Sequence, residues 1–120
     1  MAPALPVYLE CGTKRVFACA LDWPGWCRSG RDEEAALEAL GAYAGRYRVA
    51  AAAAGVEFPA GDSPRFTVVE RVAGSATTDF GAPGAVPEAD GKRQTAATAE
   101  RAAGLVAACW AVFDDILAGA

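Results

Sequence analysis

The chain has 120 residues, a formal net charge of −4 and 53% hydrophobic residues. This length fits one domain with one core, and the apolar fraction is too high for a disordered chain. An acidic chain lacks the broad basic surface that nucleic-acid binding needs, and no apolar run reaches the roughly 18 to 20 residues of a membrane span. We therefore expect no direct contact with nucleic acid or membrane. The start of the chain lacks a secretory signal, so we also expect a cytoplasmic location.

The N-terminal part of the chain predicts a small antiparallel sheet. Residues 7–10 (VYLE) form a short strand candidate, and the apolar run at 15–21 predicts a central strand with both faces covered. These two strands are expected to pair as an antiparallel hairpin. The sequence WPGW at 23–26 predicts a β-turn, since proline fixes φ and glycine tolerates a positive φ. A brief third strand is expected to begin at 27–28.

A helix start follows this sheet. Either Ser29 and Asp32 form a capping box or Asp32 alone caps the helix, and acidic residues follow in the first turn. Leu37, Leu40 and Tyr47 recur at helical spacing on one face. The pattern predicts a helix to about residue 47, or through the alanine run to residue 55.

The remainder of the chain predicts one strand, one loop and one long helix. After a break at 59–64, residues 65–72 alternate in polarity, which predicts an antiparallel strand. The glycine- and proline-rich stretch at 73–91 is expected to be a flexible loop. A helix over 93–117 carries a wide apolar stripe, expected to cover one face of the sheet, and Gly119 is a candidate C-cap.

These elements predict an α+β fold with a small antiparallel sheet in the order β-β-β-α-β and two helices packed on one face. Residues 1–72 form the α+β part, 73–91 the flexible loop, and 92–120 the C-terminal helix, which packs on the sheet or on a partner. The whole is expected to be one compact domain.

The order of elements, together with a sequence string at the turn, resembles the HicB antitoxin family over about residues 7–72. The string is D-x-P-G-x-x-x-x-G followed by E-E-A, carried by Asp22, Pro24, Gly25, Gly30, Glu33, Glu34 and Ala35. This resemblance implies a small fold related to a partial ribonuclease H arrangement. It also implies a non-catalytic, protein-binding role in a bacterial toxin–antitoxin pair. Nothing after residue 72 resembles the DNA-binding segment that such antitoxins often carry.

The last helix also resembles the opening helix of a DinB-like four-helix bundle, a class that includes thiol-dependent transferases. Such proteins bind metal through histidine, and this chain has no histidine, so no metal ligand is carried over. The resemblance implies an alternative in which the chain is the N-terminal part of a larger enzyme, with its catalytic residues beyond residue 120. A further alternative is a small-molecule site between the sheet and the last helix, lined by Trp110, Phe113 and cysteines.

The candidate partner-binding residues fall in two places. Around the turn they are Trp23, Trp26, Arg28 and Arg31, and on the last helix they are Ala107 and Trp110. The two turn tryptophans are either half-buried hairpin-end residues or an exposed binding lip, since tryptophan is enriched at interface hot spots. On the last helix, Ala107 belongs to a smooth, nearly uncharged side that predicts a homodimer through this helix.

The sequence offers no catalytic constellation. Cysteine or serine nucleophiles need a base, and histidine is absent. Asp114 and Asp115 are sequence neighbours that diverge on a helix, which makes them a poor catalytic pair. The four cysteines, Cys11, Cys19, Cys27 and Cys109, contain no CxxC pair, which indicates reduced thiols, with a reactive thiol, a metal site or a disulfide as the alternatives. We expect no enzyme activity, no cofactor and no metal.

Overall fold

The computed structural model describes residues 4–59 and 64–120, so most of the expected break at 59–64 lies outside the described residues. Its strands are β1 (Leu5–Cys11), β2 (Val16–Ala20), β3 (Cys27–Gly30) and β4 (Phe66–Ala73). Its helices are α1 (Glu33–Ala42), α2 (Ala44–Ala53), α3 (Ala76–Phe80) and α4 (Ala96–Ala118), with a 3-10 helix at Glu88–Gly91. The predicted α+β fold is confirmed, and two helices, α1 and α2, stand where the β-β-β-α-β order predicted one.

The strands form one mixed sheet in the order β3-β2-β1-β4. β1 pairs antiparallel with β2, and β2 pairs antiparallel with β3, as predicted. All five residues of β2 are buried, which confirms a central strand covered on both faces. The prediction that β4 is antiparallel was wrong, because β4 runs parallel to β1. The helical crossover through α1 and α2 returns the chain to the end of the sheet where β1 starts, and such crossovers join parallel strands.

Helix α1 begins as predicted. The Asp32 side chain accepts a hydrogen bond from the Ala35 N–H at 2.8 Å and caps the helix. A Cβ at Gly30 would lie 2.5 Å from the Ala36 nitrogen, so glycine permits α1 to pack this closely against the end of β3. The predicted single helix is interrupted at Tyr43, whose φ of −98° and ψ of 8° separate α1 from α2. Glycines at 41 and 45 weaken the helix on either side of this break.

The core lies between the sheet and α1 and α2. Its fully buried members include Val7 and Leu9 of β1, Ala18 of β2, and Ala36 and Leu40 of α1. Because β1 alternates inward and outward residues, the same strand presents Tyr8 and Glu10 to the other face of the sheet.

The segment at 73–91, predicted to be a loop, contains α3 and the 3-10 helix and is attached to the outer face of the sheet. Glu10 is 0% exposed, and its carboxylate accepts hydrogen bonds from the Thr78 hydroxyl at 2.6 Å and the Ala85 N–H at 2.7 Å. The Gly84 N–H donates to the same carboxylate at 2.9 Å. A buried acid on the sheet thus fixes a segment remote from it in sequence.

Helix α4 packs mainly against α2 and the WPGW turn, not against a face of the sheet. Its buried residues are Leu105 and Ala108, and Arg101 donates to the Asp22 carbonyl at 2.6 Å. The prediction that the apolar stripe of this helix covers the sheet was therefore wrong. The face of the sheet opposite α1 and α2 carries the segment at 73–91, which sequence periodicity did not reveal. Among the helices of residues 4–59 and 64–120, none combines the length and apolarity needed to cross a membrane.

Candidate functional site

The two turn tryptophans belong to the core. Trp23 is 4% exposed and Trp26 is 3% exposed, so the structure contradicts an exposed binding lip. The Trp26 ring stacks on Tyr47 with centroids 5.7 Å apart, and Phe58 packs edge-on against both indoles. The Tyr47 hydroxyl donates to the Pro24 carbonyl at 2.7 Å. Together the rings fix the turn to the helices, with Gly25 at the positive φ of 86° that the sequence predicted for it.

The two arginines beside the turn have different neighbours. The Arg28 guanidinium lies 3.8 Å from the centre of the Tyr43 ring, in a cation–π contact. The Arg31 side chain is 90% exposed and reaches Asp32 only at 4.0 Å. Arg28 is therefore held against the protein, whereas Arg31 extends into solvent, and the structure does not build an anion site from the two.

The last helix presents a long apolar face to solvent. Val106, Trp110, Phe113 and Leu117 are 44%, 64%, 51% and 57% exposed. Their spacing of alternately three and four residues places all four on one side of the helix. Ala107, the other residue predicted on this helix, is also exposed beside them. Of the residues predicted to bind a partner, Trp110 and Ala107 thus lie together on an accessible surface.

A shallow apolar groove adjoins this face. It has a volume of about 380 Å³ and lies between the WPGW turn and α4. Its lining residues are Pro24, Gly25, Val106, Cys109, Trp110 and Phe113. Burial raises the pKa of Cys109, which keeps this thiol protonated and apolar in character.

A second cavity of about 380 Å³ lies on the outer face of the sheet. Tyr8, Cys19 and Cys27 form its floor, and Asp90 and Arg101 contribute to its walls. The small-molecule site predicted between the sheet and α4, lined by aromatics and cysteines together, is thus divided. Cys109 borders the groove at α4, whereas Cys19 and Cys27 border the outer-face cavity.

The pairing of Cys19 with Cys27 is the feature that sequence reasoning missed. The two residues are register partners on β2 and β3. A hairpin centred on Trp23 pairs residues 19 and 27, so the position of the predicted turn carried the necessary signal. All four cysteines are free thiols.

Over the described ranges, 4–59 and 64–120, no group of three or more cysteine, aspartate or glutamate side chains is placed to hold a metal ion. Comparison of the chain with protein-family models, with curated proteins and with solved structures found no match in any of the three.

Proposed function

We propose that this chain is a non-catalytic protein-binding module that pairs through α4 with a second copy of itself. The observation that carries the proposal is the exposed face of Val106, Trp110, Phe113 and Leu117. Alternating steps of three and four residues are the spacing by which one helix packs along another. A solvent-exposed face of this kind marks an interaction surface, because soluble proteins seldom leave large contiguous apolar patches bare.

The distribution of side-chain sizes on α4 favours a second copy as the partner. An antiparallel pairing about a two-fold axis at Trp110 places residue 113 opposite residue 107, and residue 117 opposite residue 103. Phe113 then faces an alanine of the other copy, and Leu117 also faces an alanine. Large side chains opposite small ones let two helices approach closely and interdigitate. The half of the face from Trp110 to Leu117 is therefore complementary to the second copy, whereas Val106 lies opposite Asp114.

The groove beside the turn supports the same arrangement. Trp110 lies at the proposed axis, and Pro24 and Gly25 border the apolar groove next to it. An indole from the second copy can enter this groove while its own groove receives the first indole. Buried tryptophans at the centre of an interface commonly contribute much of the binding free energy.

The wider functional proposal follows the HicB-like resemblance. The α+β fold and the tight packing of α1 at Gly30 support a relation to that family. The absence of histidine from the sequence supports a role in binding, not in catalysis. A cytoplasmic location is part of this proposal and is supported by four free thiols, since reducing compartments keep cysteines unpaired.

The oligomeric state in solution tests the pairing. Multi-angle light scattering on the wild type over a wide concentration range should show a dimer, whereas Ala107→Glu should be monomeric because it places charge opposite Phe113. Ala97→Glu is the matched control, since it changes an exposed alanine on the opposite side of α4, nine residues before Val106. This control should remain dimeric.

Two outcomes would contradict the proposal. A wild type that stays monomeric at high concentration would show that the apolar face does not self-associate, even if another protein binds it. A dimer that persists in Ala107→Glu would place the interface elsewhere on the molecule.

A further inference from the structure

Cys19 and Cys27 are positioned to form a disulfide without rearrangement of the sheet. They are register partners on antiparallel strands. The next pair towards the turn, Ala20 and Trp26, is hydrogen-bonded, since the Ala20 N–H donates to the Trp26 carbonyl at 3.0 Å. Hydrogen-bonded and non-hydrogen-bonded pairs alternate along antiparallel strands, so the cysteines occupy a non-hydrogen-bonded pair, with Cα atoms about 4.5 Å apart. Disulfides span Cα separations of roughly 4.4 to 6.8 Å. The two sulfurs can therefore bond with the backbone in place.

Hydrogen bonds to the Cys19 sulfur distinguish the two thiols. Cys27 on β3 and Tyr8 on β1 both lie within hydrogen-bonding reach of this sulfur. These two donors, Cys27 first, lower the pKa of Cys19 although burial opposes them. The hydrogen bond to Cys19 and burial raise the pKa of Cys27. Cys27 therefore holds its proton more tightly than Cys19 does, which makes Cys19 the better nucleophile of the two.

The charged groups that face the two cysteines also shift the pKa values of Cys19 and Cys27, but they do not reverse the difference between them. Glu10, on the neighbouring strand, and Asp90, in the 3-10 helix, both raise the pKa of Cys19 by repelling its negative charge. Arg28, next to Cys27 in β3, lowers the pKa of Cys27. The hydrogen-bonding interaction with Cys27 remains the largest influence on the pKa of Cys19.

The cavity on the outer face gives small molecules access to the pair. Cys19 is only 6% exposed, but both sulfur-bearing residues border the cavity of about 380 Å³. Such limited exposure admits a water-sized oxidant more readily than a bulky one. Elsewhere in the chain, burial raises the pKa of Cys11 and of Cys109, so these thiols are less nucleophilic at neutral pH.

We propose that Cys19 and Cys27 form a peroxide-reactive dithiol, in which Cys19 attacks a small hydroperoxide and Cys27 resolves the product as a disulfide. The Cys19 thiolate attacks one oxygen of hydrogen peroxide and the O–O bond breaks. The departing oxygen takes a proton from solvent and leaves as water, and Cys19 becomes a sulfenic acid. The Cys27 sulfur then attacks the Cys19 sulfur, the S–S bond forms, and the hydroxyl leaves as water with the proton of Cys27.

The overall reaction converts two thiols and one peroxide into one disulfide and two waters. It consumes the dithiol stoichiometrically, so it requires no turnover and is separate from pairing through α4. A thiol reductant restores the starting state by exchange. The disulfide would link β2 to β3 at the base of the WPGW turn. The chain would thereby act as a sensor of peroxide at this position.

Mass spectrometry after exposure to one equivalent of hydrogen peroxide tests the proposal. The wild type and the control Cys109→Ser should each lose two hydrogens and yield a peptide joined through Cys19 and Cys27. Cys27→Ser cannot form this bond and should instead gain oxygen at Cys19, which the mass of the Cys19 peptide shows. Cys19→Ser should consume peroxide at least about tenfold more slowly, because the remaining thiols are mostly protonated.

A conservative variant tests the part played by Tyr8. Tyr8→Phe removes one donor to the thiolate and should slow the peroxide reaction about threefold to tenfold at neutral pH. The difference should vanish at a pH high enough to ionise Cys19 in both proteins, and circular dichroism confirms that the fold is retained. First oxidation of the wild type at Cys11 or Cys109, or oxygen addition in Cys27→Ser at a cysteine other than Cys19, would overturn the proposal.

Discussion

The indole N–H of Trp26 donates a hydrogen bond to the backbone carbonyl of Leu40 at 3.0 Å. Leu40 lies in the last turn of α1, and its carbonyl also accepts the backbone N–H of Tyr43 at 3.2 Å. The hairpin turn thus supplies a cap to the helix that it packs against. This one contact joins the sheet, the turn and the interruption between α1 and α2.

Trp23 and Trp26 should therefore behave alike when they are truncated. Each is almost fully buried in the aromatic cluster, so Trp23→Ala and Trp26→Ala should each lower the free energy of unfolding by about 3 to 5 kcal/mol. Urea denaturation followed by circular dichroism measures this change. Trp110→Ala, made in the Ala107→Glu background to remove the proposed pairing, is the control and should change stability by less than about 0.5 kcal/mol. A near-neutral result at either turn tryptophan would contradict its place in the core.

Glu10 should hold the segment at 73–91 on the sheet. Glu10→Ala leaves the Thr78 hydroxyl and the N–H groups of Gly84 and Ala85 without their common acceptor, and should lower the free energy of unfolding by about 3 kcal/mol. Amide hydrogen exchange should accelerate over this segment beyond its increase elsewhere. Glu88→Ala, at an exposed position within the same segment, is the control and should leave both measurements nearly unchanged. Uniform exchange behaviour in the two variants would argue against a clamp at Glu10.

Asp79 should make stability depend on acid pH. Its carboxylate accepts hydrogen bonds from the backbone N–H groups of Lys14 at 2.7 Å, Arg15 at 3.0 Å and Thr13 at 3.2 Å. These bonds, that from Lys14 first, lower the pKa of Asp79 below the ordinary 3.8. A carboxyl with a lowered folded-state pKa stabilises the fold fully above its ordinary pKa and loses this contribution as the pH falls through the lowered value.

The neutral variant Asp79→Asn tests this linkage. It should be less stable than the wild type at pH 7, and the difference should shrink as the pH falls below about 3.8. Thermal melts at several pH values measure both effects, with Asp115→Asn on the exposed surface of α4 as the control. A difference that stays constant down to the most acidic pH would show that the charge on Asp79 does not contribute.

Interactions between residues close together in the sequence allowed several local features of this fold to be predicted from the sequence alone. The Asp32 cap, the positive φ of Gly25 and the doubly buried β2 each depend on residues within a few positions of one another. Such features follow from local hydrogen bonding, backbone sterics and apolar periodicity. The α+β class followed from the order of these elements. The helical spacing of apolar residues also predicted the apolar stripe of α4, but it did not indicate what this stripe contacts.

Tertiary packing decided which surfaces these elements share. The direction of β4, the burial of Trp23 and Trp26 and the position of α4 all depend on contacts between segments distant in sequence. The segment at 73–91 lacked periodicity because polar bonds to Glu10, not an apolar face, attach it to the sheet. With that segment on the outer face, α4 packs on α2 and leaves Trp110 in solvent. Local patterns specify elements, whereas many weak long-range contacts acting together select the arrangement that buries the most apolar surface and satisfies the buried polar groups.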